Sequence, residues 1–584
     1  MTDTDRRLRR TASLLEVLTY AGAAIASLLV VFLVLRLRKA DLHVPFQYTN
    51  GDVRGSGDAF LIYAQVKGVV DDGSFQTNPY LGMPVGMNML DYPVTEKLHL
   101  FLIKLIATFT GDFAATVNIY FVLGFALTAL AMVGVAREMG LSRPTSAAMA
   151  LLFANLPSHY MRGQTHLFIG AYFMVPAAVM TCLWIVQERR LLLPLKAISG
   201  RGILALLICA LTGFTFVYDA FFFAFFLVVT AAFMALRARA TARLVEPALL
   251  LVVLLGSFLL CIAPNLAHRS QHGPNPAAVE RQANDAEVYA LRIAQMLLPV
   301  PGHRIAAWAA VRAEYSSGLP LVNENDCATL GFAGSVGFLL LLWRIVRRLC
   351  GVPERPILDA FAFMTLAAVL LATMGGFGSI SGLLFLRFIR GYNRISVFIA
   401  ALSLLAFGAT LERLGMRLQP VARRLVAPAG LVLLVALGVL DQTTTQFVPE
   451  YSRIRMEFES DRDFVRKVES SLPAGAMIYQ LPYVPFPESP AIGRMRDYQQ
   501  FRGYLHSKTL RWSYGAMKGR EIDQLEKPLV NATVDATVTL LRTRGFSGIF
   551  IDTDGFGAQI EPYQRSLNQE PLVSRDRRLV FFRL

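Results

Sequence analysis

The sequence predicts an α-helical polytopic membrane protein with about eleven transmembrane helices and a carboxy-terminal extracytoplasmic small α/β domain. Three observations carry this expectation. Of the 584 residues, 54% are hydrophobic and only 17% charged, against about 25% charged in an ordinary soluble domain, and the mean hydropathy is +0.46. Apolar runs long enough to cross a bilayer recur from residue 14 to residue 441. Beyond residue 441 the pattern changes to short β-branched or aromatic runs alternating with charged helical stretches.

Taken in order, the run at 14–35 follows Arg6, Arg7, Arg9 and Arg10 and reads as a signal anchor. Further runs lie near 113–136, 146–161, 166–187, 202–217, 219–236, 247–264, 328–343, 357–375, 393–411 and 425–441. With the amino terminus inside, alternate loops hold Arg137 and Arg143, then Arg189, Arg190, Lys196 and Arg201, then Arg237, Arg239 and Arg243, then Arg344, Arg347 and Arg348, then Arg413, Arg417, Arg423 and Arg424. These loops are short and basic, as cytoplasmic loops are. They also account for much of the net charge of +15, so the charge does not point to a nucleic-acid partner. The five cysteines are scattered, with no CxxC pair, so neither a disulfide framework nor a zinc site is indicated.

An odd number of spans places the tail outside. The expected division is a transmembrane domain over 1–441, with outer loops at 37–111 and 265–327, and an extracytoplasmic α/β domain over 442–584. In the tail, helices are expected near 461–471 and 535–544, and strands at 477–480, 548–552 and 578–584. All eight histidines, His43, His99, His159, His166, His268, His272, His303 and His506, fall on the outer side of this scheme.

The outer side is therefore where candidate chemistry gathers. The stretch 51–58 ends in Asp58 and leads into an amphipathic helix at 59–70, with Ile62, Val66, Val69 and Val70 on one face. Such a helix should lie flat on the outer leaflet. Asp58 at its start can take a proton from an incoming hydroxyl or amine, or simply cap the helix. Asp91, Tyr92 and His99 follow in a turn-rich segment and a second amphipathic run, where acid/base, metal-binding and turn roles are all open. Arg387, Arg390 and Arg394 sit at the outer mouth of a span against the positive-inside trend. If helical, they share one face and could meet one anion, with snorkelling to headgroups as the alternative. His303 and Arg304 in the second outer loop, Glu324 at the next span, and the boundary residues Asn155, Arg162, His166, Tyr218 and Asp219 complete the set.

These features together resemble the GT-C superfamily, polytopic glycosyltransferases that use polyprenol-phosphate sugars. The resemblance rests on Gly57-Asp58-Ala59-Phe60 with Tyr63 one turn on, in place of an Asp-Glu-x-x-Tyr-like segment, and on Asp91-Tyr92-Pro93-Val94, in place of a His-Pro-Pro-Leu-like turn. The chain departs from the family at Ala59, where many members have a second acid, and at Asp91, where many have His. The resemblance implies an inverting transfer with Asp58 as general base and Asp52 as its substitute. It further implies phosphate binding by Arg387, Arg390, Arg394, Arg304 and His303, and substrate contacts from Tyr63, Asp91, Tyr92, His99, His166, Asp219 and Glu324. No cofactor follows from the residues; the resemblance leaves room for a divalent cation, Mg or Mn. The implied partners are a polyprenol-phosphate sugar donor, a cell-envelope glycan, lipid or protein acceptor, and the lipid bilayer of the inner membrane. A flippase for lipid-linked saccharides is the alternative, but it needs polar groups through the full depth of several spans, and the runs at 202–217, 219–236, 247–264 and 425–441 are nearly free of charge.

Overall fold

The computed structural model describes residues 3–48, 57–194, 197–319, 324–384, 386–417, 419–557 and 560–584. Every apolar run falls on a helix. Five helices are long and apolar enough to cross a membrane by themselves: Ser13–Val34, Phe113–Glu138, Val217–Ala238, Thr241–His272 and Tyr392–Gly415. A sixth arises if Val426–Gln442 is joined to Thr445–Ser470 across a 61° bend. The expected eleven full-length spans are therefore not reproduced among the described residues. The runs at 146–161 and 166–187 break, the first into Arg143–Ala154 and Pro157–Arg162, the second into Leu167–Gly170 and Met174–Val186. Pro157, Gly163 and Gly170 stand at or beside the breaks, where a missing donor or a missing Cβ weakens a helix. Helices of the length of Met174–Val186 and Gly200–Thr212 rise only about 20 Å, short of a hydrocarbon core of about 30 Å.

Two ends of the bundle differ in chemistry. At one end short loops are tied by ion pairs: Glu16 with Arg137 (2.6 Å) and Arg143 (3.1 Å), Glu138 with Arg201 (3.1 Å), and Glu188 with Arg237 (3.2 Å) and Arg243 (2.9 Å). At the other end the long first loop, the second loop and the tail pack on one another.

The tail contains a five-stranded sheet in the order Arg511–Trp512, Met477–Leu481, Phe546–Asp552, Leu579–Arg583, Leu572–Val573. The first three strands are parallel and the last two antiparallel to their neighbours. Helices Tyr451–Ser470 and Val534–Thr543 flank it, the second capped by Thr533, whose hydroxyl accepts from Ala536 N at 3.3 Å. The sequence located the three main strands; the two-residue edge strands escaped it because so short a run has no readable alternation. The first loop is built into this sheet's edge: Met83 N donates to Trp512 O at 3.0 Å and Trp512 N to Tyr80 O at 2.7 Å, and Met83 is buried among tail residues including Val538, Leu541 and Ile549.

This docking corrects one expectation. The helix after Asp58 runs from Gly57 to Asp72, but residues 59–69 are buried on every side, Gln65 and Lys67 included. It is sandwiched between the tail and the helices Lys97–Thr110 and Phe113–Glu138 and does not lie flat on the leaflet. Its hydrophobic pattern was read without the tail that covers the remaining face. The second amphipathic helix, Lys97–Thr110, keeps an exposed apolar face with Phe101, Leu105 and Phe109, as a membrane-surface helix does.

Candidate functional site

Asp58 stands in the first turn of Gly57–Asp72. Half of its side chain, 52%, faces open space, and Oδ2 lies 3.7 Å from His166 Nε2, too long for a hydrogen bond. His166 is in the turn ahead of Leu167–Gly170, before the apolar helix Met174–Val186 begins. Nearby, Glu324 is gripped by two arginines: Arg162 Nη1 donates to it at 2.7 Å, and Arg394 Nη2 reaches both of its oxygens at 3.2 Å. One carboxylate against two guanidiniums leaves a local excess of positive charge. Arg394 also lies over the Tyr218 ring at 4.4 Å, and the Tyr218 hydroxyl accepts from Arg390 N (3.2 Å) and Gly391 N (3.0 Å). The Arg390 guanidinium stacks over Tyr289 at 4.8 Å, with Asp285 3.8 Å away. The tail contributes Glu488, which takes two hydrogen bonds from Arg281 (2.6 and 2.7 Å) and one from the Tyr92 hydroxyl (3.0 Å).

Charge and burial set the proton affinities here. Although half of the Asp58 side chain faces open space, that space lies deep within the fold, and the resulting desolvation raises its carboxyl to about 6; Glu324 and Glu488 add to the rise, while Arg394 and Arg390 oppose it. Burial also lifts Asp497 in the tail to about 7, with Asp58 and Glu488 contributing. His166 goes the other way, down to about 3, through burial and the proximity of Arg162. For Glu324, burial opposes ionisation, but Arg394 and Arg162 outweigh it and hold the carboxyl well below the usual glutamate range. Three non-glycine residues at this place, Glu324 (φ 52°), Glu488 (φ 50°) and Tyr498 (φ 66°), adopt the left-handed region, at a cost of about 1–2 kcal/mol each. Strain of that kind persists where the surroundings over-determine it, and it gathers at functional sites.

The structure thus brings together Asp58, His166, Glu324, Arg394 and Arg390 from the sequence-derived set, with Tyr92 joined through Glu488. Asp219 lines a recess behind Arg394 with Arg162, Tyr172 and Tyr218. Asp52 lies outside the described residues. Other expectations need correction. Arg387, Arg390 and Arg394 do not share a helical face, because 386–391 is a turn-containing link and helix resumes only at Tyr392; Arg387 is exposed in that turn. Arg304 donates to the Thr443 hydroxyl at 3.5 Å and His303 faces Asp441 at 3.5 Å, so their contacts lead to the end of helix Pro420–Gln442 rather than to Asp58. Tyr63 is fully buried, donating to Gln47 O and to Gln164 Oε1. His99 is buried against Tyr120, Phe168 and Phe173. Asp91 is locked by two bonds from Arg520, both 2.7 Å, with Asn275 and His268 beside it. These three hold the framework and offer no open face to a substrate. The aromatic and cationic residues of the tail, Arg502, Tyr504 and Trp512 among them, are likewise buried in packing.

Glu488 and Arg281 were missed as site residues, and Arg162 was noted only as a boundary charge. Nothing local marks Glu488, which acts on Asp58 through space only because the tail folds back. Among the described residues no three His, Cys, Asp or Glu side chains gather as metal ligands. Of the carboxylates at this place, Glu324 is occupied by two guanidiniums, and Asp52, next to Asp58 in sequence, lies outside the described residues.

No family model and no curated protein matches this sequence. Solved structures do. ArnT from Cupriavidus metallidurans matches in its apo state with a TM-score of 0.54 and 16% identity, over 96% of this chain and 98% of ArnT. The same protein bound to undecaprenyl phosphate matches with a TM-score of 0.53 and 14% identity, over 97% of each chain. The chain has the GT-C fold. The archaeal oligosaccharyltransferase AglB from Archaeoglobus fulgidus, solved with an inhibitory peptide and a dolichol-phosphate, matches with a TM-score of 0.48 and 12% identity, over 94% of this chain and 70% of AglB. At these identities the likeness to ArnT extends to the fold alone.

Proposed function

We propose that this protein is an integral membrane glycosyltransferase that moves a sugar from a polyprenol-phosphate donor to a glycan, lipid or protein acceptor of the cell envelope, with Asp58 as general base. The observation that carries the reading is a half-exposed carboxylate, lifted to about 6, beside a cluster in which two guanidiniums share one glutamate. Asp58 takes the proton from the acceptor hydroxyl or amine. The freed lone pair attacks the anomeric carbon, the bond from that carbon to the phosphate oxygen breaks, and its electrons leave with the lipid phosphate. The raised proton affinity makes Asp58 a stronger base than a solvated aspartate. Arg390, the most exposed of the three arginines, is the cation open to the charge that develops on the leaving phosphate, with Arg394 and Arg162, bound to Glu324, lending positive charge around it. His166, held neutral beside it, does not compete for the proton. ArnT, which shares the fold and is solved with undecaprenyl phosphate, supports a lipid-phosphate carrier as the donor class.

In this reading the chain resides in the inner membrane, with its amino terminus cytoplasmic. Residues 1–441 form the catalytic membrane domain and 442–584 an extracytoplasmic domain that closes over it. The test is transfer of radiolabelled sugar from a panel of polyprenol-phosphate sugars to a membrane extract, by protein in lipid nanodiscs, wild type beside Asp58→Asn. Label should reach the extract with the wild type and stay on the donor with the variant. Donor bound but never consumed would reject the enzyme in favour of a lipid-linked saccharide flippase.

A further inference from the structure

Arg502, the first residue of the tail helix Arg502–His506, is almost completely buried. Its guanidinium lies over the ring of Tyr48 at 4.7 Å and over the ring of Phe60 at 4.5 Å, and Nη1 donates to Asp461 Oδ2 at 2.6 Å. The Tyr48 hydroxyl donates to the same oxygen at 2.8 Å and meets His506 Nε2 at 2.8 Å. Arg578 holds the other oxygen of Asp461 and reaches Asp552 at 3.0 Å. Two aspartates and two arginines thus close a charge-balanced network away from water. Such a network is rarely the most stable solution, since well-packed apolar residues often do as well or better, so its geometry asks for another reason.

The reason lies in what the guanidinium touches. Tyr48 precedes residues 49–57 and Phe60 follows Asp58 by two positions, so a single side chain of the tail grips the chain on both sides of the candidate base. The flank that carries Tyr48 is held a second time: Gln47 Oε1 accepts from Gln164 N and Thr165 N, and Tyr63 donates to Gln47 O, next to the turn that carries His166. We propose that Arg502 is a positioning residue: by clamping Tyr48 and Phe60 to Asp461, it makes the placement of Asp58 depend on the docking of the tail. The inference rests on the reading of Asp58 as general base.

The experiment uses the full chain in nanodiscs and the label-transfer assay, run from pH 5 to pH 8 with Arg502→Met, Arg502→Lys, Phe60→Leu and Asp58→Asn, with the folded fraction of each measured by size exclusion and thermal unfolding. Per folded molecule, Arg502→Met should lose at least about tenfold in rate at pH 7. Its acid limb should also move down from near 6, because an Asp58 no longer held in place moves away from Glu324 and Glu488, which raise its proton affinity. Phe60→Leu should shift both in the same direction by less, and Arg502→Lys, which keeps the charge but loses the stacked plane, should recover part of the loss. A folded Arg502→Met with the wild-type rate and acid limb overturns the proposal, as does a loss confined to the amount of folded protein. If Arg502→Met does not fold, Phe60→Leu decides by the same criteria. Transfer surviving in Asp58→Asn is a different failure, that of the base assignment itself.

Discussion

If Asp58 is the base, the rate of transfer must follow its ionisation, and the surroundings of this residue set where that happens. Burial, with Glu324 and Glu488 close by, lifts its carboxyl to about 6. A group titrating there is about one-tenth ionised at pH 5 and about nine-tenths at pH 7. The base works only when deprotonated, so activity is lost as the pH falls, about tenfold between pH 7 and pH 5. A solvated aspartate near its ordinary value of about 4 would lose only about a tenth over the same range. His166, held at about 3, stays neutral throughout and adds no step. Asp497, lifted to about 7, does titrate in this window, so the profile is measured in parallel with Asp497→Asn. The assay is the initial rate of sugar release under donor saturation in nanodiscs at constant ionic strength. A rate that is level from pH 5 to pH 7, or an acid limb that vanishes in Asp497→Asn, would refute the assignment.

Further outcomes follow from the same contacts. Glu324→Gln leaves Arg162 and Arg394 without their shared counter-charge at a side chain only 17% exposed; it should cost about 3–5 kcal/mol of stability, read by denaturant unfolding in detergent. Because Glu324 ionises well below the ordinary range, its stabilisation is present above the unfolded value of about 4.3 and is lost only as the pH falls through the lower folded value. Tyr63→Phe removes the hydroxyl that donates to Gln47 O and Gln164 Oε1; a loss of about 1–3 kcal/mol is expected, and an unchanged unfolding midpoint would show that the hydroxyl is dispensable. Asp91→Asn weakens the clasp to Arg520 between first loop and tail; limited proteolysis of the tail should accelerate about tenfold while bulk helicity is retained.

How much of this was legible in the sequence varies with the range of the forces involved. Apolar runs mark the long helices of the bundle, and strands such as Phe546–Asp552 are legible as short β-branched and aromatic runs. Asp58 and Arg394 can be singled out as candidates from sequence alone, one as a carboxylate opening a helix in the first outer loop and the other as a cation at the outer mouth of a span, against the positive-inside trend. The same local logic misjudged Arg387, since spacing implies a shared face only if the backbone is helical, and here it turns. It also misjudged Asp91 and His99, since chemical type does not reveal whether a partner such as Arg520 or Tyr120 has already consumed the group.

What the sequence by itself determined was the solvent of each segment: hydropathy is a sum over neighbours along the chain, so lipid-facing helices, basic short loops and a polar tail can be read from composition and period. Only the tertiary structure decided which polar groups are spent on one another and which remain available. Glu488 came to Asp58, Arg502 to Tyr48 and Phe60, and two arginines to Glu324 because the tail folds back over the first loop. Electrostatics and burial act through space, so residues far apart in the chain set a single proton affinity, and no window of sequence contains the groups that do so.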